Sequence, residues 1–109
     1  MILILSKKAS DGQLKKVAED FDGYIKFVVD VERGILMAGG EVHADAEKLL
    51  LADGSKQEHL WGGGLDLETG EIDFNSMINL RPGQNNASRD VLDTDVRKKM
   101  EEIARRILK

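Results

Sequence analysis

Cysteine is absent from the 109-residue chain, which excludes disulfides and thiolate zinc sites. Positive charge is also in short supply, because 16 Lys and Arg side chains stand against 20 Asp and Glu, for a net charge of -4. This balance argues against a dedicated nucleic-acid partner. The apolar run Met1–Leu5 is too short for a membrane span or a signal segment. We therefore predict a cytoplasmic protein without a membrane partner.

The residues that are present have the composition of a globular domain. Hydrophobic residues make up 41% of the chain and charged residues 33%, as in folded proteins rather than disordered ones. A chain of 109 residues suits one hydrophobic core. No linker or low-complexity run divides it. Residues 1–109 are therefore predicted to form a single domain.

Hydrophobic periodicity predicts the element order β-α-β-β-α-β-β-α. Ser10 and Gln13 match a capping box that opens the first helix, and Gly34 and Gly70 match the closing positions of two hairpin turns. Residues 42–51 fit a helix or a strand, with the helix favoured. We predict an α+β fold: a mixed, mostly antiparallel sheet of about five strands with three helices on one face, a two-layer sandwich. The predicted strands are 2–5, 24–31, 35–38, 56–67 and 72–80.

Residues 24–91 resemble a family of small prokaryotic proteins, a domain of unknown function. Two stretches carry the resemblance, and they read IKFVVDVERGILMAGGEVHADAEKLLLADGSKQEHLWG and IDFNSMINLRPGQNN. The span 24–91 covers about two thirds of a chain of this size. The resemblance implies no activity.

Residues that could support chemistry are concentrated between Glu41 and Arg89. This segment holds both histidines, the only Trp, the only Pro, all four Asn and the triplet Gly62–Gly64. Clusters of polar groups on a rigid frame are where function is usually found. The triplet lacks the phosphate-loop pattern, and its sequence favours a bulge or a close approach of backbone. We expect no bound cofactor and no metal.

His43 and Glu47 form the first candidate site. On a helix they are one turn apart, and the pair could act as a catalytic acid–base set with Glu47 orienting His43. The alternative is a structural contact between the two side chains, and we favour it. On a strand His43, Asp45 and Glu47 would share a face and could hold Mg²⁺ or Mn²⁺, although a solvated acidic face is favoured over a metal site.

The second group of candidates follows in the chain. Trp61 could stack on a ligand, with Gln57 on the same strand face, although a lone Trp is more often a packing residue. Arg81 could bind a phosphate or carboxylate, in a candidate site that also contains Asn79, Pro82, Asn85, Asn86, Ser88 and Arg89. The alternative is a loop whose side chains satisfy its own backbone.

The resulting hypothesis is one shared polar site. Its most favoured role is binding of a small anionic ligand or a protein partner. A hydrolase that acts on a phosphate or acyl substrate through His43 and Glu47 is one alternative, and a structural or interaction protein that includes a homodimer is another. The hypothesis requires His43 and Arg81 to open into the same cavity. The predicted site residues are His43, Glu47, Gln57, Trp61, Asn79, Arg81, Asn85 and Ser88.

Overall fold

Alternating apolar side chains build an open, five-stranded sheet in the computed structural model, which describes residues 1–108. Every strand pair in the described residues is antiparallel, and the spatial order is β1-β3-β2-β4-β5. The α+β class and the five strands are confirmed, whereas the predicted mixed sheet is antiparallel throughout. The strands are β1 Ile2–Leu5, β2 Tyr24–Asp30, β3 Ile35–Gly39, β4 Leu60–Asp66 and β5 Ile72–Asp73.

Three α-helices occur in the predicted order: two connect strands, and the third follows the last strand. Ser10 opens the first helix with both hydrogen bonds of the predicted capping box. The segment that fitted either a helix or a strand is a helix. None of the helices in residues 1–108 is long and apolar enough to cross a membrane. The helices are α1 Asp11–Val17, α2 His43–Ala52 and α3 Thr94–Leu108, and short 3-10 helices lie at 57–59, 77–79 and 82–84.

Helices pack on both faces of the sheet. Phe27 and Val29 of β2 lie in one apolar cluster with Met100 of α3, while Val28 lies in a second cluster with Leu50 of α2. Successive side chains of a strand point to opposite faces, so the two clusters lie on opposite sides of the sheet. The structure therefore does not show the predicted two-layer sandwich with all helices on one face.

The predicted last strand ends early. Only Ile72 and Asp73 pair with β4, although the apolar alternation continues to Leu80. Beyond β5 the side chain of Asn79 takes the place of a strand. Its Oδ1 accepts a hydrogen bond from the Gly62 N–H at 2.8 Å, and its Nδ2 donates to the Gly62 carbonyl at 3.0 Å. One amide side chain thus satisfies both backbone groups that a longer β5 would have paired.

Candidate functional site

The glycine triplet forms a floor that neighbouring side chains cover. β4 pairs with β2 in continuous register from Leu60 to Asp66, so there is no bulge at the triplet. A Cβ atom at Gly64 would overlap the ring of Tyr24, and one at Gly62 would lie 3.2 Å from His43 Cδ2. The sequence predicted either a bulge or a close approach of backbone at the triplet. The structure shows a close approach, and it is made by side chains. Glycine is required because these side chains occupy the space of a Cβ.

A cavity of about 440 Å³ opens beside this floor, on the face of the sheet that carries α2. Its walls come from β2, from the start of α2 and from the segment that follows β5. It contains acids, bases and hydroxyls together with an apolar part. The lining residues are Tyr24, Lys26, Glu41, Val42, His43, Ala44, Asp73, Asn75, Ser76, Met77, Ile78 and Arg89.

His43 is held in this cavity by the main chain of β4. Its Nε2 lies 2.7 Å from the Gly63 carbonyl oxygen. A carbonyl can only accept, so Nε2 carries the proton and the Nδ1 lone pair of the neutral ring is free. Burial lowers the pKa of His43, and the charge of Lys26 acts in the same direction, while the Gly63 carbonyl opposes them. The ring is therefore neutral at pH 7.

Tyr24 reaches across the floor to a carboxylate on the far side. Its Oη donates to Asp73 Oδ2 at 2.6 Å. The register explains the reach, because Lys26 of β2 and Asp73 of β5 both pair with Gly64, which has no side chain between them. Burial raises the pKa of the Tyr24 phenol, and the bond to Asp73 raises it further. The phenol therefore stays protonated and occupies one side of the carboxylate.

Two cations at the cavity have no carboxylate partner within the described residues. Lys26 Nζ donates to the backbone carbonyl of Glu41 at 2.7 Å, and Arg89 Nε lies 2.8 Å from Met77 Sδ. The N-terminus of α2 lies beside them. Its N-cap residue, Val42, has no side-chain cap, so the first N–H groups of the helix receive no side-chain acceptor. Lys26, Arg89 and the N-terminus of α2 thus each contribute positive charge to the lining of the cavity.

Arg81 binds the backbone at the start of β4 and does not line the cavity. Its guanidinium donates to the carbonyl oxygens of Gln57, at 2.5 Å, and Leu60, and its Cζ lies 3.9 Å from the centre of the Trp61 ring. Trp61 is only 5% exposed. Burial lowers the pKa of Arg81, and the nearby Glu47 carboxylate opposes this shift. The geometry is that of a structural clamp.

Glu47 lies near Arg81 rather than on His43. No hydrogen bond joins His43 to Glu47 in the described part of the chain, and Glu47 Oε2 is buried without a hydrogen-bond partner there. Burial raises the pKa of Glu47, and the charge of Arg81 counteracts the rise. Because the segment is helical, Asp45 does not share a face with the other two side chains. Across residues 1–108 no group of three or more His, Asp or Glu side chains is placed to hold a metal ion.

The polar loop after Arg81 is organised around two buried amides. Asn79 also donates to the carbonyls of Phe74 and Arg89, so its side chain makes four hydrogen bonds. Asn86 donates to the backbone carbonyls of Asn79, Ser88 and Asp90, and its Oδ1 accepts a hydrogen bond from the Leu92 N–H. Ser88 Oγ accepts from the backbone of Asp90. The exposed Asn85 ends a short helix at φ 59°. The contacts seen are those of a loop that satisfies its own backbone.

The structure thus does not gather the predicted residues into one site, because Arg81 lies against Gln57 and Trp61, with Glu47 nearby, and none of these four lines the cavity. Of the eight, only His43 lines the cavity. Arg89, which belongs to the predicted polar segment after Arg81, also lines the cavity. Sequence reasoning missed Tyr24, Lys26 and Asp73. A signal existed for the first two, since they alternate with the apolar side chains of β2 and so belong on its opposite face. Asp73 required knowledge of the register.

The protein is an α+β domain with an open antiparallel sheet and a polar cavity over a glycine floor. It belongs to the family described as "Protein of unknown function (DUF5674)", whose model matches residues 3–107. This match confirms the resemblance found for residues 24–91 and extends it to almost the whole chain. Comparison with curated proteins and with solved structures gave no match.

Proposed function

We propose that the cavity beside the glycine floor binds a small anionic ligand. One observation carries the proposal: Lys26 and Arg89, which have no carboxylate partner among residues 1–108, line the same cavity as the N-terminus of α2. A volume of about 440 Å³ lies within the range of small-molecule sites. Helix N-termini and guanidinium groups are common partners of phosphate and carboxylate groups.

The cavity is also lined by two acids, Asp73 and Glu41, which differ in how strongly they would repel an anion. Asp73 already accepts a hydrogen bond from Tyr24, so one side of its charge is occupied. Glu41 is exposed, as Arg89 is, so solvent screens both of these charges. Within the described residues, the hydrogen bonds of Lys26 and Arg89 go to a carbonyl and a thioether, so neither cation is paired with a carboxylate. The predicted protein partner has no comparable support at this cavity.

His43 indicates which kind of anionic ligand fits the cavity. Its free Nδ1 can accept a hydrogen bond, and the ring is neutral, so it favours a ligand that has a donor near its charged group. Ala44 and Ile78 add an apolar surface to the same cavity. The best fit is a small phosphate or carboxylate that carries a hydroxyl or amine.

The proposal can be tested by NMR titration of the ¹⁵N-labelled protein. Inorganic phosphate is the first probe, followed by small hydroxy acids and phosphomonoesters. We expect saturable shifts in the first-turn amides of α2 and in the His43 ring. Arg89→Gln should weaken binding about tenfold, the loss of one charge-assisted contact. Lys99→Gln makes the same change of net charge on exposed α3 and is the matched control. Absence of saturable shifts, or equal weakening by the control, would reject the proposal.

Hydrolysis is the second candidate function, and one observation favours it. His43 is a neutral imidazole with an unused nitrogen in a cavity, which suits a general base. The Gly63 carbonyl, rather than Glu47, would then orient the ring. The assay compares wild-type protein with His43→Gln on p-nitrophenyl phosphate and p-nitrophenyl acetate. Turnover that is lost in His43→Gln supports a hydrolase, whereas equal rates for the two proteins would support ligand binding without catalysis.

A further inference from the structure

We propose that β1 is a dimerisation strand that pairs, antiparallel, with β1 of a second copy of this chain. β1 is an edge of the sheet and is paired only with β3. Within residues 1–108, the backbone groups of Ile2–Leu5 make no hydrogen bond other than those to β3. Their outer side therefore presents the unpaired donors and acceptors that another strand can use.

The composition of this edge favours pairing. Ile2–Leu5 is a run of four apolar residues without a charge, a proline or a bulge, the features that normally protect an edge strand. Ile4 is 45% exposed, although it is an apolar residue in a strand. Its partner in the ladder, Met37 of β3, is only 5% exposed and lies in the apolar cluster with Leu50 of α2, so the exposure is confined to the edge strand. An unprotected edge and an exposed apolar side chain thus occur on the same strand.

The edge is complementary to itself, which is why the partner is a second copy. A two-fold axis perpendicular to the sheet keeps like faces together and can place Ile4 opposite Ile4 of the second copy. In that register Lys7 stands opposite Met1 of the second copy. The Met1 ammonium is bound to Glu19 at 2.8 Å and to Asp20 at 3.0 Å. One ammonium against two carboxylates leaves a net negative charge, which attracts Lys7 at both ends of the pair.

The dimer would leave the proposed ligand site free. The cavity is lined by β2, the start of α2 and the segment after β5, and none of its lining residues belongs to β1. The test of dimerisation is therefore independent of the test of ligand binding.

The test is sedimentation velocity of the whole chain, over protein concentrations from about 10 μM to about 1 mM. We expect a monomer–dimer equilibrium that weakens at high salt, because the paired charges are exposed. Ile4→Lys should raise the dissociation constant at least about tenfold by placing two like charges opposite each other. Leu92→Lys is the matched control, since Leu92 is 55% exposed and lies far along the chain from β1. Circular dichroism checks that both variants are folded.

A charge exchange makes the test specific to the proposed pairing. Lys7→Glu should weaken the dimer, and the double variant Lys7→Glu, Glu19→Lys should restore it. A monomer at every concentration would overturn the proposal, and so would a dimer that Leu92→Lys disrupts and Ile4→Lys does not. Binding of β1 by a different protein, with no self-association, would also overturn it.

Discussion

The two edges of the sheet differ in whether side chains of the chain itself satisfy their backbone groups. At the β5 edge the strand is only two residues long, and side chains take over where it stops: Asn79 binds both backbone groups of Gly62, and Arg81 binds the carbonyl of Leu60. At the β1 edge no side chain in the described residues does the same for Ile2–Leu5. One edge is closed within the chain, and the other is open to a second molecule.

The comparison also explains where the cavity lies. Because Asn79 satisfies Gly62, the chain after Asp73 can leave the sheet without exposing unpaired backbone. It then forms the wall that carries Ser76 and Met77. A full-length β5 would continue the sheet through this region. The interaction that protects the closed edge therefore also makes room for the candidate site, which no residue of β1 lines.

Replacement of Asn79 should break the closed edge and is the largest effect we expect. Asn79→Leu removes four hydrogen bonds at a fully buried position. It leaves the Gly62 N–H and neighbouring carbonyls buried without their partner, at about 1–3 kcal/mol for each unsatisfied group. We expect the free energy of unfolding to fall by at least about 3 kcal/mol. Urea denaturation followed by Trp61 fluorescence measures it.

Asn85→Gly is the control for this prediction. Asn85 belongs to the same loop but is exposed and has a positive φ that glycine adopts easily. Its replacement should change stability by less than about 0.5 kcal/mol. If Asn79→Leu proved equally mild, Asn79 would not be the group that closes the edge.

Gly64→Ala should disturb the floor of the cavity and have the next largest effect. The added methyl group would overlap the Tyr24 ring, so the ring must move and its bond to Asp73 must lengthen or break. Overpacking of this kind costs about 1–3 kcal/mol. We expect a loss of stability in that range in urea. The pKa of Tyr24, followed by ultraviolet titration, should also fall toward its ordinary value.

Gly83→Ala tests whether crowding is the reason. No atom lies within 4 Å of a Cβ built at Gly83, and its φ is not positive. The same substitution there should be close to neutral. Equal losses at both positions would show that the cost comes from the backbone and that Tyr24 does not need the space above Gly64.

Local rules were sufficient to predict much of the fold. The capping box of Ser10 and Gln13, the positive φ of Gly34 and Gly70, and the order of strands and helices follow from interactions between residues close in sequence. The layering was harder, because α2 exposes several apolar residues, Leu49 among them. Its narrow apolar face gave no indication of which side of the sheet it covers.

The candidate site depends on contacts that no local pattern contains. Asn79 binds Gly62, which lies 17 residues earlier in the chain, at the position where a further strand would pair. The residues around Asn79 alternate between apolar and polar as those of a strand would. Arg81 has the chemistry of an anion binder, but backbone carbonyls and Trp61 occupy its guanidinium. Residue type identified groups capable of binding. Only the register and the chain path show which of them remain free.

The smallest effect we expect is a pH dependence that originates at His43. Burial of the ring in the cavity lowers the pKa of His43 below the ordinary value near 6.5, which the unfolded chain retains. Below that pH the unfolded state takes up a proton that the folded state does not. The contribution of His43 to stability is therefore fully present above about pH 6.5, and it is lost as the pH falls from there through the lowered pKa of the folded state.

The measurement is the free energy of unfolding at several pH values, for wild-type protein and for His43→Gln. Glu47 has the opposite sign, since burial raises its pKa and its contribution is lost as the pH rises from its ordinary value. Both proteins contain Glu47, so its effect cancels in the difference between them. That difference should shrink from pH 7.5 to pH 5.5. A constant difference would mean that His43 titrates alike in both states and that the floor of the cavity does not hold it neutral.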